Sequence, residues 1–299
     1  MEGRKTGTRG ANRAAAFIAA EMKSIGLEPA GDSGYFQKVP FASTTSTGGR
    51  ERLNLLDSLG ALAKVPEPAR RIGYNLIGVL RGADPVMRDQ IVVIGAHYDH
   101  EGIGAPVAGD SIYNGADDDA SGVTAVLGIA RALGSGPAPK RTVVFMATTG
   151  EEQGILGTKW YVRHAAFPIA SMVADMEIEM IGRPDSLAGG RGKAWLTGYD
   201  RSTMGDMLRD AGIPIVPDPY PQMRFFERSD NIVFARAGIP AHTLSTYNLH
   251  TDYHTPEDEF DKIDFAHMTD VIRAGAAAAR LLADGPAPKW KPGGQPEPR

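Results

Sequence analysis

The sequence predicts an α/β layer fold with a largely parallel sheet, on three observations. Apolar, β-branched runs stand at 74–82 (YNLIGVLRG), 90–99 (QIVVIGAHYD) and 142–150 (TVVFMATTG), as expected of strands buried on both faces. Segments of helical period alternate with such runs. The chemically active residues gather where strands end, the side on which open α/β sheets bind ligands.

In chain order, Ala14, Phe17, Ile18, Met22 and Ile25 recur at helical spacing, and Gly26 supplies the stop. Residues 42–53 are polar and read as a surface loop. Val123, Val126, Leu127, Ala130 and Leu133 mark a helix between the second and third strands. A helix after Gly154, a strand within 170–182 and a late strand within 237–246 follow. The final helix carries Phe265, Met268, Ile272, Ala279 and Leu282 on one side. Residues 1–285 therefore read as one catalytic domain, and the Pro- and Gly-rich residues 286–299 as a disordered tail.

Composition excludes several classes. The 299 residues are 42% hydrophobic, enough for a core, and the net charge of −4 offers no attraction for nucleic acid or an anionic membrane. No apolar run approaches the roughly 20 residues of a membrane-spanning helix. Cysteine is absent, so disulfides, thiolate metal sites and a cysteine nucleophile are excluded, and any metal must sit on His and carboxylates. The start, MEGRKTGTRG, lacks the apolar centre of a signal peptide. The expectation is a monomer, secreted or periplasmic with its leader absent, the cytoplasm remaining open.

Five motifs carry candidate chemistry. His97 closes the strand IVVIGA, and Asp99, two residues on, is placed to accept from its imidazole as partners of metal-bound histidines do. Asp117-Asp118-Asp119 precede a helix; one Asp is explained as a cap, but three adjacent carboxylates repel, and a divalent cation relieves that. Glu151 and Glu152 follow the third strand, suited to one facing a metal and the other a reacting water. Asp175, Glu177 and Glu179 share a strand face; Glu179, nearest the carboxyl end, is the better ligand and Asp175 the alternative. His254 lies in the loop DYHTPED, while His100 and His250 read as bystanders or pocket-lining groups. Two imidazoles and three carboxylates with an extra Glu suit an open catalytic zinc site, and no H-E-x-x-H helix is present.

GAHYDHEGIG, DSIYNGADDDASG, TTGEEQGILGT, EIEMIGR, RSDNIVFARAGIP and DYHTPEDEFDKID, in that order, resemble the co-catalytic dizinc aminopeptidase family of bacteria, the clan MH metallopeptidases that also include glutamate carboxypeptidases. The resemblance runs over about residues 3–284. It implies a three-layer α/β/α sandwich around a mixed sheet and two zinc ions bridged by one carboxylate. By motif the bridge is Asp118; His97 and Glu179 complete one site, Glu152 and His254 the other. Glu151 is then the general base, Asp99 orients His97, and Tyr253 and Arg228 contact a peptide substrate. Many relatives have Asp where Glu179 stands and Ser-Asp-His where this chain reads Ser229-Asp230-Asn231. The expected activity is aminopeptidase. A carboxypeptidase, an amidohydrolase or a glutaminyl cyclase on the same scaffold is the alternative, Arg224 and Arg228 being a basic pair that a terminal carboxylate would need. A binding module descended from peptidases would have lost a ligand or the base, and this chain retains the full set.

Overall fold

The computed structural model describes residues 1–46, 49 and 51–298. The elements run α1 (Arg9–Ile25), β1 (Glu28–Pro29), β2 (Phe36–Thr45), β3 (Glu51–Leu55), β4 (Arg70–Leu80), β5 (Ile91–His97), β6 (Gly102–Val107), β7 (Asp110–Tyr113), α2 (Gly122–Gly134), β8 (Thr142–Thr148), α3 (Leu156–Arg163), β9 (Met172–Glu179), β10 (Ala194–Leu196), α4 (Met204–Asp210), β11 (Ile215–Pro217), α5 (Asn231–Arg236), β12 (Ala241–Ser245) and α6 (Phe265–Asp284). Gly26 caps α1 at φ 87°, a conformation that side-chain-bearing residues avoid.

Ten strands form one sheet in the order β11-β10-β12-β9-β5-β8-β4-β2-β3, with β1 on β4; β6 and β7 make a separate hairpin. The central strands β12, β9, β5 and β8 are mutually parallel. β4 joins β8 antiparallel, as β2 joins β4 and β10 joins β12. The sheet is thus mixed, and the parallel expectation holds for its centre. Alternate residues sort the layers: Val92, Ile94 and Ala96 of β5 pack with α1, α2 and α6, while Ile91 and Val93 face α3 and α5. The result is a three-layer α/β/α sandwich. Among the described residues no helix is long and apolar enough to cross a membrane.

Two local expectations differ from the structure. The polar stretch 42–53 supplies the ends of β2 and β3, paired from Phe41↔Leu55 to Thr45↔Glu51, because a hairpin exposed at the sheet edge takes Thr and Ser as readily as a loop; Thr47, Gly48 and Arg50 lie outside the described residues. The tail expected to be disordered is held along residues 286–298. Trp290 pairs with Ser202 and donates its indole N–H to the Gly238 carbonyl (2.9 Å), and Lys291 meets Asp206 (2.7 Å). One Trp with a place to bury outweighs the Pro and Gly around it, and Arg299 alone of that stretch lies outside the described residues.

Beneath this tail His242 of β12 is buried, donating from Nδ1 to the Thr197 carbonyl and accepting at Nε2 from the Ser202 hydroxyl, both at 2.7 Å. Those partners suit the neutral ring, and burial pushes its pKa down to about 4 from 6.5. A depressed histidine favours folding above the unfolded value, and that contribution is lost as pH falls towards the folded one. Relative to a His242→Gln variant, the wild type should therefore lose about 2 kcal/mol of unfolding free energy between about pH 7 and 5. Urea titrations at the two pH values measure this, and parallel losses in both proteins would show that the ring is not held neutral.

Candidate metal centre

Four parallel strands end on one edge of the sheet, and the predicted residues come from those ends. β5 ends in His97, β9 in Glu179; Glu151 and Glu152 follow β8, and the chain after β12 leads to His254. Asp118 arrives from the turn ahead of α2, and the peptide bond joining it to Asp119 is cis. That turn opens at Gly115 with φ 56°, where a Cβ would run into the Asp118 carbonyl and the His100 ring. Met180 and His254 also take left-handed backbone, at φ 52° and 57°. Each costs roughly 1–2 kcal/mol for a residue with a side chain, strain of the kind that functional sites hold.

Two groups of metal-competent atoms result, each within 4.8 Å: His97, Asp118 and Glu179, and His100, Asp118, Glu152 and His254. Asp118 belongs to both. His97 Nε2 lies 3.2 Å from Asp118 Oδ1, while His254 Nε2 lies 3.1 Å from Asp118 Oδ2 and 3.0 Å from Glu152 Oε2. Neither nitrogen, nor His100 Nε2, has a hydrogen-bond partner although all three are buried. His97 turns its Nδ1 to the Asp99 carbonyl (3.2 Å), which leaves the Nε2 lone pair facing Asp118. Buried imidazole nitrogens aimed at carboxylates without bonding them are what a metal-binding site presents.

The electrostatics agree. Burial pushes Glu179 up to about 7, and burial with the carboxylates of Glu179, Glu152 and Asp230 holds Glu151 well above the usual range against the pull of His97. Asp118 goes the other way: despite burial, His254 and His97 hold it well below the ordinary value. A cation is favoured where so many carboxylates are desolvated together. Asp118, Glu151, Glu152 and Glu179 line an open cleft of about 510 Å³ whose other wall includes Trp195, Phe225, Arg228, Tyr247 and Tyr253. Tyr253 stacks on His254 with ring centroids 3.8 Å apart, and burial beside Asp118 and Glu152 raises its pKa, keeping the phenol a donor.

Residues 75–279 match peptidase family M28. The chain belongs to that family. A probable leucine aminopeptidase 2 of Aspergillus fumigatus is 32% identical over 181 residues, 59% of this chain and 34% of that protein. The chain thus spans about a third of the length of the curated relatives it matches first. Among solved structures, a zinc aminopeptidase from Bacillus subtilis superposes with a TM-score of 0.66 at 17% identity, over 94% of this chain and 91% of that one. An aminopeptidase from Aneurinibacillus has a TM-score of 0.67 at 18% identity, covering 99% and 93%.

In this M28 chain the alternative ligand Asp175 belongs to neither donor group; it is buried lower on β9, opposite Ala241. The Asp99 carboxylate does not bond His97, from which it stands 3.9 Å away; it accepts instead from the Thr6 hydroxyl (2.9 Å) and the Glu151 N–H (3.2 Å). Asp99 therefore orients His97 through its carbonyl and the Glu151 loop through its carboxylate. His100, read as a bystander, joins the second group, with Nδ1 2.8 Å from Glu152 Oε1. Its place in HYDH, three residues after His97, was the available signal, but strand alternation alone does not show that the chain turns there. Asp117 accepts from the Gly182 N–H (2.7 Å) and approaches His250 Nε2 (3.1 Å), and Asp119 accepts from the N–H groups of Gly122 and Met180, both at 3.0 Å. The acidic triplet therefore divides into one inward carboxylate and two loop braces. Asp258 holds the turn from outside, accepting from the N–H groups of Asp117 and Asp118 at 3.0 Å.

Asn75 braces the Glu151 loop: its amide donates to the Gly157 carbonyl (2.9 Å) and accepts from the Thr149 N–H (3.2 Å). It is wholly buried, so Asn75→Ala should cost about 2–3 kcal/mol in urea unfolding by stranding both groups, whereas a loss below about 0.5 kcal/mol would show the brace to be dispensable.

Proposed function

We propose that this chain is a zinc-dependent aminopeptidase, a hydrolase that removes N-terminal residues from peptides. The observation that carries the reading is that two donor groups share Asp118 with Glu151 beside them in the same cleft. His97, Asp118 and Glu179 would hold one zinc ion; Asp118, Glu152 and His254 would hold the second, with His100 alongside. Imidazole with carboxylate suits zinc, and the name of the similar Bacillus subtilis zinc aminopeptidase agrees with that metal. Bound zinc supplies electrophilic stabilisation of a carbonyl and makes a water acidic enough to lose its proton near neutral pH.

The chain's own residues do the rest. Glu151, its pKa raised, accepts the proton of the attacking water and delivers it to the departing amine. The Tyr253 hydroxyl donates towards the oxygen that gains charge as the carbonyl is attacked. The cleft carboxylates attract a free α-amine, and Phe225 with Arg228 over its ring (5.1 Å) meets the side chain of the first residue. This placement disfavours a carboxypeptidase: Arg224 is exposed and engaged by Glu227 at 2.8 Å, which leaves Arg228 without the second cation expected beside it.

Wild-type protein should hydrolyse leucine p-nitroanilide and lose that activity on chelation. Glu151→Gln should cut kcat by about 10²–10⁴ with zinc content unchanged. Full activity in that variant would remove Glu151 from its role, and activity only on N-blocked substrates with a free carboxylate would replace the aminopeptidase by a carboxypeptidase. Metal analysis of His254→Ala should find one tightly held zinc per chain in place of two; two retained ions would refute the ligand set.

A further inference from the structure

We infer that Arg4 and Thr6 form a clasp that holds the three ligand-bearing loops in register, Arg4 setting zinc affinity and Thr6 the position of Glu151. The inference rests on the zinc-peptidase reading above. Arg4 is 8% exposed, an unusual burial for a guanidinium. Its donors go to main-chain carbonyls: Nε to Tyr98 (2.7 Å), Nη1 to Asn114, and Nη2 to Gly115 (3.0 Å) and Asp118 (3.3 Å). Tyr98 lies between His97 and Asp99, and the other three carbonyls belong to the turn that aims Asp118. One planar fork therefore spans the loop after β5 and the turn before α2, which a single-point ammonium does not reproduce.

Thr6 adds the third loop. Its hydroxyl donates to Asp99 Oδ2 (2.9 Å) and lies 3.2 Å from the Thr149 hydroxyl, while Asp99 Oδ1 accepts from the Glu151 N–H (3.2 Å). Gly3, just before Arg4, is so close to Gly102 at the start of β6 that a Cβ on Gly3 would overlap its carbonyl. The segment ahead of α1 is thereby fixed against the site from below. Charge fits as well: the buried guanidinium stands among Asp99, Asp118, Asp119 and Asp258 and offsets part of their repulsion. Both residues touch no substrate; they are positioning residues that act through Asp118 and Glu151.

The test measures zinc directly. Full-length wild type, Arg4→Lys, Arg4→Gln and Thr6→Val are stripped of metal, checked for fold by circular dichroism, and titrated with zinc against a chromogenic chelator. Both Arg4 variants should bind zinc about 10–100-fold more weakly, the range for partners that orient metal ligands. Thr6→Val should bind zinc within about threefold of wild type yet lose about 10-fold or more in kcat on leucine p-nitroanilide at unchanged KM, because only the base is displaced. Wild-type zinc affinity in folded Arg4→Lys and Arg4→Gln would overturn the clasp. Failure of both to fold would overturn it too, since Arg4 would then support the whole domain rather than the metal site. A Thr6→Val enzyme with wild-type kcat would overturn the second half. A wild type that binds zinc but hydrolyses no aminoacyl anilide would remove the peptidase reading and leave the zinc titration to judge Arg4.

Discussion

Repulsion among desolvated carboxylates is the constraint around which this molecule is arranged. Asp118, Glu152, Glu179 and Glu151 stand within one cleft, three of them on or just after β8 and β9, the parallel strands that flank β5. Carboxylates brought so close resist ionising together unless opposite charge or hydrogen-bond donors are supplied. The fold supplies both. His97 and His254 approach Asp118 from either side, and main-chain N–H groups serve Asp119, Asp117, Asp258 and Asp99, so charge not needed in the cleft is anchored to backbone. The parallel centre of the sheet makes the convergence possible, because β5, β8, β9 and β12 all release their chain on the same edge.

The cleft's supports come from far along the chain. Asp258 braces residues 117 and 118, more than a hundred positions earlier, and Arg4 and Thr6 reach the same region from the opposite terminus. Burying a guanidinium and several carboxylates is unfavourable one at a time and tolerable as a satisfied network. That cooperativity explains why the strained backbone at Met180 and His254 persists: the surrounding bonds leave it no other conformation.

Much of this was legible in the sequence, for a physical reason. Strands buried on both faces must be continuously apolar, so the runs ending at His97 and Thr148 announced themselves, and a polar residue closing such a run stands at the sheet edge. Family resemblance then resolved which member of the acidic triplet faces inward, something period alone does not decide. What stayed hidden depends on distant contacts. His100 follows the strand by three residues, in a turn whose direction is set by Arg4 and Gly115. The Asp99 carboxylate went to Thr6 and Glu151 because neighbours in space competed with the neighbour in sequence. Trp290 ordered a Pro-rich tail whose composition pointed the other way.

The strand β9 shows how charge is graded towards the cleft. Asp175, Glu177 and Glu179 occupy successive positions on one face, which a uniformly ionised row would make untenable. Burial pushes Asp175 and Glu177 well above the usual carboxylate range, whereas Glu179 at the edge is pushed up to about 7. Gly95 on the adjacent strand makes room, since a Cβ there would collide with the Glu177 carboxyl. Burial thereby disfavours negative charge in the sheet interior, while His254 and His97 hold Asp118 well below the ordinary carboxylate value and so favour charge in the cleft. A carboxyl side chain repeated at every second position is thus disfavoured as an anion below and a candidate ligand above, and the difference is the depth at which each sits.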